Sequence, residues 1–483
     1  MKQMAVLEQL EPKRVFHYFE EICGIPHGSG NVEQISNYLV RFAEAKGLEH
    51  YQDALLNVIM IKEATAGYED EEPVILQGHM DMVAVKKPGA SIDMKTEGLS
   101  PGVDGDFIFA KDTSLGGDDG IAVAYALALL EDDSIPHPRL EVVITVDEEV
   151  GMEGATGIDL SMLKGHRMIN LDSEEEGFFW ISCAGGGNVK CVLPVSYEQK
   201  RGREYRVTIG GLLGGHSGSE IDKGRANSNI LLGRLLQGVQ GSGTLTAVCG
   251  GLADNAIPRE TTAQFLVESE QEERFYREIS VLEKTVQKEF AGKDDGLFIR
   301  VEAGEEKEAP ALTAESMKRA ADLIFLQPDG VQTMSAAIPG LVQTSLNLGI
   351  LELKGKELIL ATSVRSSLQS EKEVLVEKLK GIAGLCRASI QISGEYPAWE
   401  YRKDSPLRER MVSVYREMFG KEPQIEAIHA GLECGILAGK IKDLDCVSIG
   451  PDMKDIHTTE ERLSISSTQR VWQFVLKVLE RKG

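Results

Sequence analysis

The segment RLEVVITVDEE (139–149) constrains the fold most: a continuous β-branched run that ends in three acids. Runs of this kind, without polar alternation, belong to strands buried on both faces, as in parallel sheets covered by helices. The neighbouring segments agree. NVIMIKE (57–63), PVILQGHMDMV (73–83) and RMINLDSE (167–174) are strand-like, and the nearly all-apolar GIAVAYALALLEDD (120–133) reads as a buried helix. A helix over about 12–24, the turn-rich IPHGSGN and a helical NVEQISNYLVRFAEAKG come first. Strands separated by helices predict an α/β domain with a central, mostly parallel sheet and its active site at the carboxyl ends of the strands.

At AGGGN (184–188) the pattern changes, and three successive glycines mark either a domain crossover or a tight turn. The stretch that follows mixes strands (EYRVTIG, TAQFLVES, GLFIRVEAG) with long helices (GRANSNILLGRLLQGV, EERFYREISVLEKTVQKEF), as an α+β domain would. The tail then resumes α/β character. The expected organisation is a discontinuous catalytic domain, 1–186 and 399–483, interrupted by an inserted α+β domain at 187–398.

Composition narrows the function. Hydrophobic residues at 42% and charged residues at 27% suit a packed chain, and 483 residues exceed one ordinary core. A formal net charge of −24 argues against nucleic acid or an anionic membrane as partner. The longest uncharged apolar stretch, Gly120 to Leu130, is too short to span a bilayer. Seven scattered cysteines without a CxxC pair favour free thiols in a reducing, cytoplasmic setting.

The chemistry sits where strands end. His79 and Asp81 stand at i and i+2 after a strand-like run, so the period of two aims both the same way and Asp81 can steady the imidazole. Asp118 and Asp119 follow two glycines at a helix start. They read either as helix caps or as a carboxylate held to bridge cations. Glu148 and Glu149 follow the buried strand, and alternation would send them to opposite sides, one to a metal and one to a substrate. Asp172 ends another strand, and His457 stands in a polar segment near the end of the chain. His429, in IEAIHAGLE, suits packing better. Singly, each has an ordinary structural explanation. Together they form an oxygen and imidazole set without thiolate, suited to a hydrolytic two-metal centre of zinc, cobalt or manganese.

With these residues in place the chain resembles the M20 metallopeptidases, in particular the aminoacyl-histidine (Xaa-His, carnosinase-like) dipeptidase branch. The resemblance rests on QGHMDMV, LGGDDGIA, TVDEEVGMEGA, NLDSEE, LLGGHSGSEI, GLADNAIPRE and HAGLECGIL, in order along the chain. It implies two divalent ions bridged by Asp118, with His79 and Asp172 on one and Glu149 and His457 on the other. It further implies that Asp81 orients His79 and that Glu148 is the general base. The inserted domain would be a lid that makes a homodimer, with His216, Asn255 and Arg365 on the substrate. Cys434 is assigned to packing and Glu433 to no role. The expected activity is hydrolysis of unblocked dipeptides. An N-acyl amino acid deacylase or desuccinylase is the alternative, and a catalytically silent metal- or peptide-binding protein a third.

Overall fold

A computed structural model describes residues 6–482, which form two compact units. The first comprises the chain up to Ser182, Tyr401–Ala427 and Leu432 onward; the second comprises Cys183–Glu400 and Ile428–Gly431. The short return at 428–431 belongs to the second unit, although the expected first domain includes it.

The first unit is built on an eight-stranded sheet. Its order is Glu49–Gln52, Val58–Lys62, Leu140–Thr145, Val74–His79, Arg167–Asn170, Asp445–Ser448, Phe178–Cys183 and Gln424–Ile428. The four strands from Leu140–Thr145 to Asp445–Ser448 pair in parallel. The edge pair Glu49–Gln52/Val58–Lys62, the Val58–Lys62/Leu140–Thr145 pair and the Asp445–Ser448/Phe178–Cys183 pair are antiparallel, so the sheet is mixed. The edge follows from chain length: Glu49–Gln52 and Val58–Lys62 are joined by the short Asp53–Asn57 turn, which can only return the chain antiparallel.

The helix Gly117–Glu131 is buried on all sides from Gly117 to Leu130, as its uninterrupted apolar sequence requires. It packs between the helix Lys13–Cys23 and the strand Val74–His79. Gly78 makes this approach possible: a Cβ there would collide with the Asp119 carboxylate and, at 2.6 Å, with the Ala122 methyl. At the far end Tyr125 stacks on Trp472 with centroids 5.8 Å apart and donates its hydroxyl to the Thr468 carbonyl at 2.9 Å. Each such fully buried side chain contributes about 1.5–3 kcal/mol through removal from water. The helix start is thereby fixed against the strand that ends in His79.

The second unit holds a nine-stranded sheet, antiparallel at each described pairing, against the helices Ser228–Gly238, Glu272–Glu289, Ala314–Leu326 and Gln369–Leu385. The AGGGN stretch lies directly after the crossover between the two units at Ser182–Cys183, as one of its two readings expects, and is not a tight turn. Gly185–Pro194 is a strand between Glu357–Ser366 and Ser389–Tyr396, and a Cβ on Gly185 would meet the Ala398 nitrogen at 2.5 Å. The glycines serve close packing of backbone on backbone. Among the described residues no cysteine forms a disulfide and only Cys249 is exposed, and no helix is long and apolar enough to cross a membrane.

Candidate metal centre

His79 is the last residue of its strand, Glu148 and Glu149 lie in the turn after Leu140–Thr145, and Asp172 follows Arg167–Asn170. The neighbouring parallel strands therefore deliver these groups to one end of the sheet. Asp118 comes from elsewhere, the first turn of the buried helix. Asp118 and Asp119 depart from helical φ/ψ and neither caps the helix through its side chain, which removes the capping explanation. His457 stands with φ 60° in the loop between Met453–Lys454 and Arg462–Ser464, which pair as a small hairpin.

The ligand atoms group in threes. One group joins His79 with Glu148 and Glu149; of the two that contain Asp118, His79, Asp118 and Asp172 form one set and Asp118, Glu149 and His457 the other. Asp118 belongs to both, and its two oxygens face different imidazoles. Oδ1 lies 3.2 Å from His79 Nε2, and Oδ2 lies 3.1 Å from His457 Nε2. Asp172 Oδ1 is 3.5 Å from His79 Nε2, and Glu149 Oε1 is 2.8 Å from His457 Nε2. Donors about 2.0–2.2 Å from a shared cation in a tetrahedron sit about 3.3–3.6 Å apart, close to the 3.1–3.5 Å spacings, while the 2.8 Å Glu149–His457 contact would open slightly around a metal. Glu149 Oε1 is buried with no properly directed hydrogen bond despite the nearby imidazole, as a ligand oxygen would be. The residues present thus fit two divalent ions.

Around the ligands, Asp81 does two things. Its backbone carbonyl accepts from His79 Nδ1 at 3.0 Å, while its carboxylate lies 3.5 Å from that nitrogen. The same carboxylate accepts from Ser29 Oγ at 2.8 Å and from the Glu148 backbone N–H at 3.1 Å. Asp81 therefore holds both the imidazole and the start of the acidic turn. One expectation fails here. The strand stops at Thr145, so Glu148 and Glu149 follow turn geometry, and both come within reach of His79 instead of diverging. Beneath them lies Glu433, buried, accepting from Gln77 Nε2 at 2.5 Å and Thr145 Oγ1 at 2.6 Å. Glu461, four residues after His457, is also buried beside the site. A cavity of about 530 Å³ opens beside Glu149, walled by Met82, Met94, Val150, Ser29 and Lys86.

Crowding of these acids shows in their proton affinities. Burial pushes Glu148 up to about 8 and Asp172 up to about 7. The Asp118 carboxylate, hydrogen-bonded to it, and the adjacent Glu149 carboxylate raise His457 to about 10. Burial opposes ionisation of Asp118, but the His457 and His79 hydrogen bonds outweigh it and hold its carboxyl below the usual range. The raised groups keep protons in the folded state that the unfolded chain has lost, so stability of the metal-stripped protein falls as pH rises from about 5 to 9. Asp118 would matter only below about pH 4, outside that window. Between pH 5.5 and 8.5 the melting temperature of the stripped protein is expected to drop by about 5 °C or more, at roughly 2–4 °C per kcal/mol. Calorimetry in chelator across that range checks it; a flat or rising profile would refute the protonation pattern.

Of the remaining expected residues, His216 and Asn255 come together in the second unit. His216 pairs with Ala256 in a two-stranded ladder, and the Ser217 N–H donates to the exposed Asn255's carbonyl at 2.9 Å. His216 Nδ1 accepts from the N–H groups of Gly218 (3.2 Å) and Ser219 (3.1 Å), which places the neutral ring's proton on Nε2. Burial, with Arg365 adding to it, lowers the pKa of His216. Arg365 is buried on the strand Glu357–Ser366, donates from Nη1 to Tyr396 Oη at 2.9 Å, and has no acceptor for Nε. His429 is buried with Nε2 2.7 Å from Ser345 Oγ, within the second unit and outside the ligand sets.

Comparison with known proteins extends the match over the whole chain. The model of Peptidase family M20/M25/M40 matches residues 75–481. The cytosol non-specific dipeptidase of Escherichia coli (strain K12) is 36% identical over 481 residues, 99% of each chain. The crystal structure of aminoacylhistidine dipeptidase from Vibrio alginolyticus aligns with a TM-score of 0.94 at 33% identity, covering 99% of both chains. Aminopeptidase PepT from Bacillus cereus ATCC 10987 shares the fold at a TM-score of 0.58 and 15% identity, over 98% of each. His79 at its strand end, Asp172 just beyond Arg167–Asn170, the Asp118 turn and the late His457 all lie inside the matched span, and the chain belongs to peptidase family M20/M25/M40.

Proposed function

We propose that the chain is a dipeptidase acting on unblocked dipeptides with two divalent ions, zinc in the first instance and cobalt or manganese as substitutes. One observation carries the two-ion reading: each oxygen of Asp118 addresses a different imidazole, in two ligand sets that share only that residue. The choice of dipeptides is supported by the names of the Escherichia coli and Vibrio alginolyticus relatives, each alike along its whole length.

When bound, such ions polarise a peptide carbonyl and lower the pKa of water toward neutrality. The protein's part is to place and move protons. Glu148, anchored through its backbone by Asp81, takes the proton of the attacking water and passes it to the departing amine. The second unit acts as a lid and dimerisation domain. There the Nε2–H of His216 is the donor for the developing oxyanion, reaching the active site of the partner subunit, and Asn255 helps hold the substrate. The unpaired Nε–H of Arg365 suits the substrate's terminal carboxylate. A cytoplasmic location accords with cysteines that form no disulfide.

A panel of free and N-acylated dipeptides tests the substrate class. Free dipeptides are expected to lead in kcat/KM by about a hundredfold or more, as in sites that read a polar terminus. Preference for the acylated series would move the chain to the deacylases. Light scattering on the purified protein is expected to give twice the monomer mass, and a monomer would remove His216 from the catalytic scheme.

A further inference from the structure

The Glu461 carboxylate, only 3% exposed, is wrapped by four consecutive backbone amides. Its Oε2 accepts from Leu115 N at 2.7 Å and Gly116 N at 3.1 Å, and its Oε1 from Gly117 N at 2.8 Å and Asp118 N at 3.4 Å. Such a cradle is a built anion site for one side chain, formed by the non-helical start of the buried helix. Glu461 also closes the loop that carries His457: its N–H donates to the Thr458 carbonyl at 3.3 Å, and the next residues, Arg462–Ser464, pair with Phe107–Ala110. The two segments that bear Asp118 and His457 are far apart in sequence, and this carboxylate joins them.

We infer that Glu461 is a positioning residue that sets the separation of Asp118 from His457, and with it the affinity for the divalent cation those residues share with Glu149. It touches no ligand atom and acts through the Asp118 backbone and the His457 loop. His79 is held by its own strand and by the Asp81 carbonyl, which accepts from its Nδ1 at 3.0 Å, supports that lie outside the segment Glu461 cradles. The consequence is asymmetric: loosening Glu461 weakens the Asp118–Glu149–His457 set more than the His79–Asp118–Asp172 set. The inference rests on the two-ion reading above.

The test is titration of chelator-stripped protein with Co²⁺, following heat and visible absorption, in wild type, Glu461→Gln and Glu461→Asp. Glutamine keeps the shape but turns an NH₂ toward backbone N–H groups. Wild type is expected to take up two equivalents. Glu461→Gln is expected to keep one near wild-type affinity and to lose about 10–100-fold for the other, the scale of groups that orient metal ligands. Glu461→Asp, which retains the charge, should recover part of that loss. Two unchanged affinities in Glu461→Gln overturn the inference. If Glu461→Gln shows no cooperative melting, Glu461→Asp decides: one weakened site supports positioning, whereas unchanged affinities or a second failure to fold assign Glu461 to stability alone and overturn it. A wild type that does not bind two equivalents sinks the two-ion reading instead.

Discussion

Replacing Glu148 by alanine is expected to lower kcat by about 10²–10⁴-fold, the usual contribution of a placed general base, with metal content unchanged at two per subunit. The reasoning separates side chain from backbone. Asp81 binds the Glu148 N–H, which alanine retains, so the turn and the His79 contact keep their support. What disappears is one carboxylate that burial, with the neighbouring Asp172, Glu149 and Asp118 charges adding to it, raises to about 8. Two cations beside it would draw that value down and leave a base usable near neutrality. Glu148 lies close enough to His79 and Glu149 to be a ligand itself, so metal analysis is the deciding measurement. Loss of metal with activity would make Glu148 a ligand, and activity within tenfold of wild type would remove it from catalysis.

The parts of this protein that could be read from its sequence are those where one side chain's chemistry depends on the residues beside it. The run LEVVIT announces a strand buried on both faces because an exposed face would need polar alternation, and all six residues of Leu140–Thr145 are buried. His79 and Asp172 were legible as groups carried past the ends of such strands. Legibility stopped where partners are distant or backbone geometry is irregular. Strand alternation was extended to Glu148 and Glu149, but pairing ended three residues earlier, and a turn brought both acids inward. The glycines of AGGGN mark the crossover between the units, but the tight-turn alternative fails, because glycine permits close strand packing as well as turns. Glu461 gave no local signal at all: its partners are amides more than three hundred residues away along the chain, and a buried anion cradle resembles any acid in a polar loop.

Asp118→Asn should have the second large effect, and its comparison with Asp119→Asn is the sharper test. Asparagine preserves volume but presents one oxygen and one NH₂, so one of the two imidazoles loses the acceptor that now faces it. Charge falls by one at the only residue common to both ligand sets. Metal content is expected to fall to one or fewer per subunit. kcat/KM should fall at least about a thousandfold, since a metal contributes several kcal/mol to transition-state stabilisation and each 1.36 kcal/mol is tenfold. Asp119, one residue on, is a different case. It is fully buried, its Oδ1 meets no donor, and its Oδ2 accepts from the His79 N–H. Burial and then the nearby Asp172 charge push its carboxyl well up, so its neutral form is close to an asparagine in charge and shape. Asp119→Asn is therefore expected to keep two metals and activity within tenfold. Equal damage from both substitutions would mean that the bridge had been assigned to the wrong acid, and two metals with near-normal turnover in Asp118→Asn would remove the shared carboxylate from the site altogether.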